Sequence, residues 1–282
     1  MMKAYLLAVD RDAVQTINKF FPELKNSFEE FGKLLFFEIE LDENGVGVLI
    51  KMLRKNWTLG RWGGLREARW KPRAVFYDMD MTVIGVESLV VLAKLKKCEK
   101  AMRHITDAAM RGEIPFADAL ARRLQMIKGI TRNDFDRVEA EFTLNAGVPE
   151  SFQYFHSLGI KSYIATGGFR NMVEPLAKRL GADGFCATEL AFKGDKFTGH
   201  SIGPIVDGAA KADFVINQCK MLGARPTLAA TVGDGANDRE MSAAVGVAVG
   251  FCPKAILIDV LTAAFDSHHD ILKFLTCNQT RN

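Results

Sequence analysis

From Arg73 onward, short runs of apolar residues alternate with longer segments in which apolar residues recur at helical spacing. Five apolar runs have the length of buried strands: Ala74–Tyr77, Ser162–Ala165, Phe185–Thr188, Leu228–Val232 and Val247–Gly250. Alternation of this kind is typical of βαβ units. The pattern therefore predicts an α/β domain built on a Rossmann-like parallel sheet with helices on both faces.

About eighty residues of helical pattern separate the first two predicted strands, which is too long for one crossover helix. We expect these helices to form an inserted helical cap at about residues 88–147. The predicted cap helices are Glu87–Lys97, Glu99–Gly112, Phe116–Ile127 and Arg132–Phe142. A turn at Lys193–Lys196 between apolar flanks predicts a peripheral β-hairpin.

The N-terminal segment has its own pattern, which predicts a small α+β domain over residues 1–70 before a catalytic domain at 71–282. The expected elements are strands at Ala4–Val9 and Leu34–Leu41 and helices at Ala13–Phe21 and Val46–Lys55. Near the C-terminus, His268-His269-Asp270 lies at a helix start, and we expect these three residues on the surface.

The composition is that of an ordinary globular protein. The 282 residues are 48% hydrophobic and 25% charged, which indicates neither disorder nor a fibrous repeat. No apolar run approaches the ~18 residues that a membrane-spanning helix needs, so the expected location is the cytoplasm. Five scattered cysteines without a C-x-x-C pair indicate reduced, structural thiols.

The charge is unevenly distributed along the chain. Residues 51–73 hold 8 Lys/Arg against 1 Asp/Glu, although the net charge of the whole chain is only +3. Such a small net charge argues against a nucleic-acid-binding protein. The basic stretch also contains Trp57, Trp62 and Trp70, and we favour a linker whose tryptophans dock on the catalytic domain. The alternative is a module at residues 1–73 that binds RNA or a protein partner.

Polar or glycine-rich residues follow three of the predicted strands. These segments are Asp78–Thr82, Thr166–Phe169 and Gly233–Asp238. Ligands of open parallel sheets bind beyond the carboxyl ends of the strands, so the three segments should meet in one crevice.

The Asp78-x-Asp80 pair could by itself belong to a calcium loop. An EF-hand would need glycine and glutamate where this chain has Val83 and Leu89, so that interpretation fails. Another alternative is that both aspartates cap the following helix.

The segment Gly233–Asp238 resembles a truncated dinucleotide fingerprint, but Asp234 and Asp238 would repel a pyrophosphate unless a divalent cation lay between them. The acidic loop therefore favours Mg²⁺. The segment Thr166-Gly167-Gly168 can form an anion cradle of backbone N–H groups and a hydroxyl, with a plain helix cap as the alternative.

Taken in order, the three segments resemble the motifs of the haloacid dehalogenase-like phosphohydrolases. The family's D-x-D-x-T matches Asp78–Thr82, its Ser/Thr-Gly-Gly matches Thr166–Gly168, and its G-D-G-x-N-D matches Gly233–Asp238. Within the family the chain is most similar to the phosphoserine phosphatases, from about Trp70 to the C-terminus, and one of the added matches is Phe251-Cys252-Pro253-Lys254. The chain departs from their pattern at Thr166 and Met81, where serine is common, and at Asn145-Ala146-Gly147, where Pro-Gly is usual.

The resemblance implies a phosphomonoesterase that forms an aspartyl-phosphate. It makes Asp78 the nucleophile and Asp80 the general acid and base. It implies a Mg²⁺ site at Asp78, the backbone carbonyl of Asp80, Asp234 and Asp238. It also implies phosphate binding by four residues, which are Thr166, Gly167, Lys211 and Asn237. Without the resemblance, Lys211 would be read as a surface lysine.

The cap is expected to carry substrate specificity. By the resemblance, Glu87 pairs with a substrate ammonium group and Arg123 grips a carboxylate. Met110 and Phe116 would exclude water above the phosphate. The alternatives are a solvated helix face at Arg122-Arg123 and ordinary core packing for Met110 and Phe116.

The implied reaction is hydrolysis of O-phospho-L-serine, a small-molecule phosphomonoester, as the last step of serine biosynthesis. The alternatives are the same chemistry on another small phosphorylated amino acid or alcohol, and phosphoryl transfer to an acceptor other than water. The family often carries an ACT-like regulatory or dimerisation module at the N-terminus, so a homodimer is left open.

Overall fold

The computed structural model describes residues 2–8, 28–31, 34–59, 62–110 and 113–277. Its described residues form one 11-stranded sheet in the order β2-β3-β1-β4-β11-β10-β9-β5-β6-β7-β8. The strands are β1 Met2–Ala8, β2 Phe28–Phe31, β3 Leu34–Leu41, β4 Gly63–Glu67, β5 Ala74–Tyr77, β6 Lys161–Phe169, β7 Gly184–Lys193, β8 Lys196–Ile202, β9 Ala229–Gly233, β10 Val247–Phe251 and β11 Ala263–Phe265.

The predicted α/β fold is confirmed. The strands from β11 to β7 run parallel, and the five strands predicted from apolar runs all lie among them. Strand β5 shows why helices cover both faces of the sheet. Its Val75 and Tyr77 belong to one hydrophobic core, whereas Ala74 and Phe76 belong to another on the opposite face.

Helices connect the strands and form the cap. In chain order the α-helices among the described residues are Glu43–Trp57, Ser88–Leu95, Glu99–Met110, Phe116–Met126, Arg132–Ala140, Val148–Ser157, Arg170–Leu180, Gly208–Met221, Arg239–Ala243 and His268–Thr276. The four cap helices lie where they were predicted and end one to two residues earlier, with residues 111 and 112 outside the described part. Short 3₁₀ turns cover Pro226–Leu228, Ala236–Asp238 and Ala255–Val260.

The β7–β8 hairpin lies at one edge of the sheet, as predicted, and it also carries part of the cap. The amide of Gly129 donates to the carbonyl of Phe197 at 2.8 Å, and the amide of Phe197 donates to Ile130 at 2.9 Å. The guanidinium of Arg132 lies 3.9 Å from the centre of the Phe192 ring. The cap segment around residue 130 is therefore tied to the catalytic sheet through this hairpin.

The N-terminal elements continue the same sheet. Strand β3 has the predicted bounds, β1 begins two residues before its prediction, and the helix predicted at Ala13–Phe21 lies outside the described residues. Strand β4, inside the basic stretch, was not predicted. It pairs with β1 and β11, so the N-terminal strands join the parallel strands edge to edge.

The tryptophans of the basic stretch are packed inward, in agreement with the docking interpretation. Trp57 is 2% exposed and Trp70 is 7% exposed. The indole of Trp70 donates to the carbonyl of Thr227 at 2.8 Å, and that of Trp57 donates to Gly63 at 3.1 Å. These two rings are consequently not available to stack on an RNA base.

The expectation for His268-His269-Asp270 was wrong for two of the three residues. His268 and Asp270 are buried, and His269 alone is exposed. The cause is the packing of the C-terminal helix, which buries Ile271 and Phe274 and stacks the His268 ring on Phe251 with the ring centroids 4.1 Å apart.

None of the helices in the described ranges combines the length and the hydropathy that crossing a bilayer requires.

Gly64→Ala is expected to destabilise the protein because a methyl group at this point of β4 would overlap Ala263 and press on the Phe274 ring. Overpacking of this kind costs about 1–3 kcal/mol. The measurement is the free energy of unfolding from urea denaturation. The matched control is Gly47→Ala, since Gly47 is an exposed helical glycine with nothing within 4 Å of the added group, and that change should stabilise by about 0.5–1 kcal/mol. A Gly64→Ala protein as stable as the parent would contradict this account of the β4–β11 contact.

Candidate active site

The loops after β5 and β9 lie beside the last residues of β6 at the carboxyl edge of the sheet, and β6 extends through the Thr166–Phe169 segment that the sequence placed after a strand. The amide of Asp78 donates to the carbonyl of Val232 at 2.8 Å, which joins the first loop to the third. A methyl group on Gly168 would lie 2.9 Å from the Cε atom of Met79, which places the end of β6 against the first loop. One carboxylate oxygen each of Asp78, Asp234 and Asp238 lies within 4.8 Å of the others, and all three residues are buried. The structure thus brings the three predicted segments together.

A tight turn returns the chain after Asp78 and aims Asp80 at the first cap helix. The carbonyl of Met79 accepts from the amides of Val83 and Ile84 at 2.9 and 3.0 Å, and Met81 adopts a φ of 60°. Ser88 then donates its hydroxyl to Asp80 Oδ2 at 2.9 Å and its amide to Asp80 Oδ1 at 3.3 Å.

Lys211 is the central cation of the site. It is completely buried, and its Nζ donates to Asp78 Oδ1 at 2.6 Å and to Asp238 Oδ1 at 2.8 Å. Burial alone would lower the pKa of Lys211, but Asp238 and Asp78 outweigh burial and raise that pKa. The lysine therefore holds a fixed positive charge between two loops.

Asp238 organises the third loop. Its Oδ2 atom accepts from the amides of Asp234 and Gly235 at 3.0 and 3.1 Å, while its Oδ1 atom bonds Lys211. Gly233 permits this contact, since a side chain there would overlap the Asp238 carboxylate. Both oxygens of Asp238 are thus engaged by the protein itself.

Lys254 is a functional candidate to which the sequence assigned no role. Its Nζ lies 2.9 Å from Asp234 Oδ2, and its amide donates to the Asp234 carbonyl at 2.8 Å. Burial raises the pKa of Asp234, and the hydrogen bond from Lys254 partly opposes that rise. The match of Phe251–Lys254 to the family pattern was the available signal, but only the tertiary structure places this lysine on the acidic loop.

The donor set fits a hard divalent cation. Burial and then Asp238 raise the pKa of Asp78 well above its usual value, and Lys211 only partly compensates. Asp78 Oδ2 and Asp234 Oδ1 make no hydrogen bond to the described residues, so one oxygen of each carboxylate is available to a metal. Oxygen-only coordination of this type is what Mg²⁺ prefers.

Asp80 has a different electrostatic environment from Asp78. Burial raises its pKa to about 7, Glu87 adds to the rise, and the two hydrogen bonds from Ser88 oppose it. A carboxyl group with this pKa is protonated in a large fraction of molecules near neutral pH, which suits proton donation.

The predicted phosphate cradle lies on the same edge. Thr166 is buried, and its Oγ1 accepts from the amide of Gly168 at 2.9 Å. Gly167 leaves room for the Val206 carbonyl, which would lie 3.2 Å from a methyl group on it. Asn237 is partly buried in the short helix Ala236–Asp238 of the acidic loop. Their roles toward phosphate stay predictions.

The cap contributes Glu87 and Arg123. Burial lowers the pKa of Arg123, and the negative charge of Glu87 opposes that shift. Arg123 is partly buried and reaches Thr106 Oγ1 at 3.4 Å, whereas the neighbouring Arg122 is exposed. Met110 ends one cap helix and Phe116 begins the next, but their side chains lie outside the described part of the structure.

Comparison with known proteins adds a family match. Residues 75–243 match the family model of the haloacid dehalogenase-like hydrolases. Phosphoserine phosphatase SerB2 of Mycobacterium tuberculosis is 33% identical over 204 residues, which are 72% of this chain and 50% of that relative. A phosphoserine phosphatase of Idiomarina loihiensis is 31% identical over 203 residues, which are 72% of this chain and 92% of that relative. The matched region thus spans about half of the first relative and most of the second.

Solved structures also resemble the chain, and two of them superpose on most of its length. A haloacid dehalogenase family hydrolase of Salmonella enterica serovar Typhi superposes with a TM-score of 0.84 over 97% of this chain and 98% of the other, at 20% identity. A phosphoserine phosphatase solved as a phospho-aspartyl intermediate analogue superposes with a TM-score of 0.68 at 26% identity, over 73% of this chain and 99% of the other. The first likeness extends through the N-terminal strands and the second does not cover the full chain.

Mg²⁺ is expected to raise the stability of the wild-type protein and not that of Asp234→Asn, because Asp234 offers one of the two available carboxylate oxygens. At about 100 times its Kd, a bound ion adds ~2.7 kcal/mol. The measurement is the unfolding midpoint with and without Mg²⁺. Asp213→Asn is the matched control, since Asp213 is exposed on the same helix as Lys211 and should leave the stabilisation unchanged. Equal stabilisation of the wild type and Asp234→Asn would locate the ion elsewhere.

Proposed function

Because the chain belongs to the haloacid dehalogenase-like hydrolases, we propose that it is a Mg²⁺-dependent phosphatase that hydrolyses O-phospho-L-serine to L-serine and phosphate. The observation that carries the proposal is the difference between the environments of two neighbouring aspartates. Asp78 is ion-paired to the buried Lys211, and Asp80 is hydrogen-bonded to Ser88 beside Glu87. The names of relatives that are 31–33% identical support the substrate.

Asp78 is the nucleophile of the proposed reaction. One of its carboxylate oxygens forms a bond to phosphorus while the bond from phosphorus to the serine oxygen breaks, which gives an aspartyl-phosphate. Asp80 gives its proton to the departing serine oxygen. The Asp80 carboxylate then accepts a proton from the water that hydrolyses the aspartyl-phosphate, and the starting state is restored. The raised pKa of Asp80, near 7, which burial and Glu87 produce, supports this double role.

Positive charge at the site stabilises the transferring group. A bound Mg²⁺, held by Asp78, the backbone carbonyl of Asp80 and Asp234, would neutralise charge on the phosphoryl oxygens. Asp238 supports this site by fixing the loop amides of Asp234 and Gly235. Lys211 supplies a fixed charge, and the N–H and hydroxyl groups of Thr166, Gly167 and Asn237 complete the phosphate pocket.

The cap selects the amino-acid part of the substrate. In this proposal Glu87 binds the ammonium group and Arg123 binds the carboxylate. The position of Glu87 at the start of helix Ser88–Leu95, where it influences both Asp80 and Arg123, supports the assignment. Met110 and Phe116 are assigned to exclude water. We also place the reaction in the cytoplasm, as the last step of serine biosynthesis.

Wild-type protein with Mg²⁺ is expected to release phosphate from O-phospho-L-serine, and Asp78→Asn is expected to lose activity at least ~10³-fold, since only binding and electrostatic effects remain without the nucleophile. The measurement is phosphate release with Mg²⁺ and with EDTA. Asp213→Asn is again the control and should retain full activity. Activity of Asp78→Asn within tenfold of the wild type would show that another group attacks phosphorus.

Arg123→Met is expected to raise KM for phosphoserine and to leave hydrolysis of phosphoethanolamine unchanged, because phosphoethanolamine has no carboxylate. A hydrogen bond to a charged group contributes about 1.5–3 kcal/mol, which corresponds to a roughly 10- to 100-fold change. The neighbouring exposed Arg122→Met is the matched control. Release of phosphate from both substrates at equal rates by the wild type would favour a phosphorylated amine or alcohol as the substrate.

A further inference from the structure

The carbonyl of Thr82 accepts hydrogen bonds from two side chains that are distant in sequence. Asn145 Nδ2 lies 2.8 Å from this oxygen and His268 Nε2 lies 2.9 Å from it. Thr82 is completely buried and follows Asp80 by two residues in the tight turn. The turn that carries the proposed general acid is therefore held by two side-chain hydrogen bonds to the Thr82 carbonyl.

Three segments of the chain meet at this carbonyl. The amide of Asn145 donates to Val83 at 2.9 Å, and Ile84 forms an antiparallel bridge with Leu144. The chain that leaves the sheet for the cap therefore runs beside the chain that returns from it. Gly147, with a φ of 89°, lets the returning chain pass close to His268, since a methyl group on it would lie 3.0 Å from the His268 Cβ atom.

His268 is a neutral donor. It is completely buried, its ring stacks on Phe251, and burial lowers its pKa to about 4, so it is uncharged near neutral pH. A carbonyl oxygen only accepts, so Nε2 must carry the proton. The other ring nitrogen, Nδ1, has no hydrogen-bond partner among the described residues. The contact with Thr82 is thus the polar interaction that orients this ring.

The turn needs such support. Met81 adopts a left-handed conformation, with a φ of 60°, which a side chain disfavours and which persists only where the surroundings impose it. A buried carbonyl without a donor would also carry the full cost of its desolvation. Loss of either donor would weaken the hold on this carbonyl and let the turn and Asp80 shift, because the Asp80 carboxyl group is otherwise held only by Ser88 among the described residues.

We propose that Asn145 and His268 are positioning residues for Asp80. Their hydrogen bonds to the Thr82 carbonyl fix the turn and so orient the Asp80 carboxyl group toward the leaving oxygen. The proposal rests on the proposed phosphatase function. It predicts that loss of either donor impairs proton donation to the leaving group more than it impairs attack on phosphorus.

The test compares kcat/KM for two kinds of substrate, since this constant reports the step in which the leaving group departs. An alkyl phosphate such as phosphoserine has a poor leaving group that needs a proton, whereas p-nitrophenyl phosphate has a good one that does not. The benchmark is Asp80→Asn, which should strongly lower the ratio of kcat/KM for phosphoserine to kcat/KM for p-nitrophenyl phosphate. His268→Phe keeps the stacked ring without a donor, and His268→Gln keeps an amide donor at a similar distance. Asn145→Ala removes the second donor, and the exposed His269→Ala is the matched control.

We expect His268→Phe and Asn145→Ala to lower kcat/KM for phosphoserine about 10- to 100-fold, and that for p-nitrophenyl phosphate no more than about threefold. His268→Gln should recover most of the loss, and His269→Ala should behave as the wild type. Equal losses on both substrates, no loss, or a Gln variant as impaired as the Phe variant would overturn the proposal. Should His268→Phe fold poorly, the partly buried Asn145 carries the same comparison with Asn145→Ala.

Failure of the two proposals gives different results. Wild-type protein that hydrolyses β-glycerol phosphate and not phosphoserine would overturn the proposed substrate. The positioning of Asp80 is then tested by the ratio of kcat/KM for β-glycerol phosphate to kcat/KM for p-nitrophenyl phosphate. β-Glycerol phosphate is an alkyl phosphate like phosphoserine, so the comparison still sets a poor leaving group against a good one.

Discussion

The buried ion pair of Lys211 with Asp78 and Asp238 is the interaction on which the site depends. It joins the loop after β5 to the loop after β9, and the lysine that makes it comes from the helix Gly208–Met221 between β8 and β9. Removing one partner of a buried ion pair typically costs 3–5 kcal/mol, since a charge is left unpaired. Because breaking either ion pair would leave a buried charge unpaired, the three side chains stay together. They hold the acidic residues in place before any ligand binds.

Charge balance then distinguishes the two aspartates of the first loop. Asp78 faces Lys211 and the other acidic loop, where burial and Asp238 raise its pKa and a cation favours the ionised form. Asp80 faces Glu87 and the cap, where burial and a like charge keep its pKa near 7. Two residues apart in sequence, they face different electrostatic environments, which is the condition for one to act as a nucleophile and the other as an acid. Lys254 places a second positive charge beside Asp234 and so offsets part of the negative charge of the acidic loop.

The cap contacts the rest of the protein at more places than the two chain segments that connect it to β5 and β6. Its loop around residue 130 pairs with the β7–β8 hairpin, and its return at Asn145 meets the C-terminal helix through the Thr82 carbonyl. Strand β11, which precedes that helix, pairs with β4 and so connects the N-terminal strands to the same framework. The elements that surround the proposed active site are thus packed into one continuous sheet and its attached helices.

The sequence by itself determined the parallel strands and which polar segments would meet at their carboxyl ends, where the candidate site lies. Runs such as Ala74–Tyr77 are apolar on both faces because helices cover both faces, and polar residues at the strand ends converge because parallel strands end at one edge. Only the tertiary structure decided the rest. Strand β4 lies in a glycine-containing segment whose pairing depends on the distant Ala263, and His268 looks like a surface residue until Phe251 covers it. The similarity of Phe251–Lys254 to the family pattern does not show what Lys254 contacts, and only the packing of the fold brings this lysine to Asp234. Local periodicity reports which side of an element is buried, whereas contacts between distant segments depend on how the elements pack together.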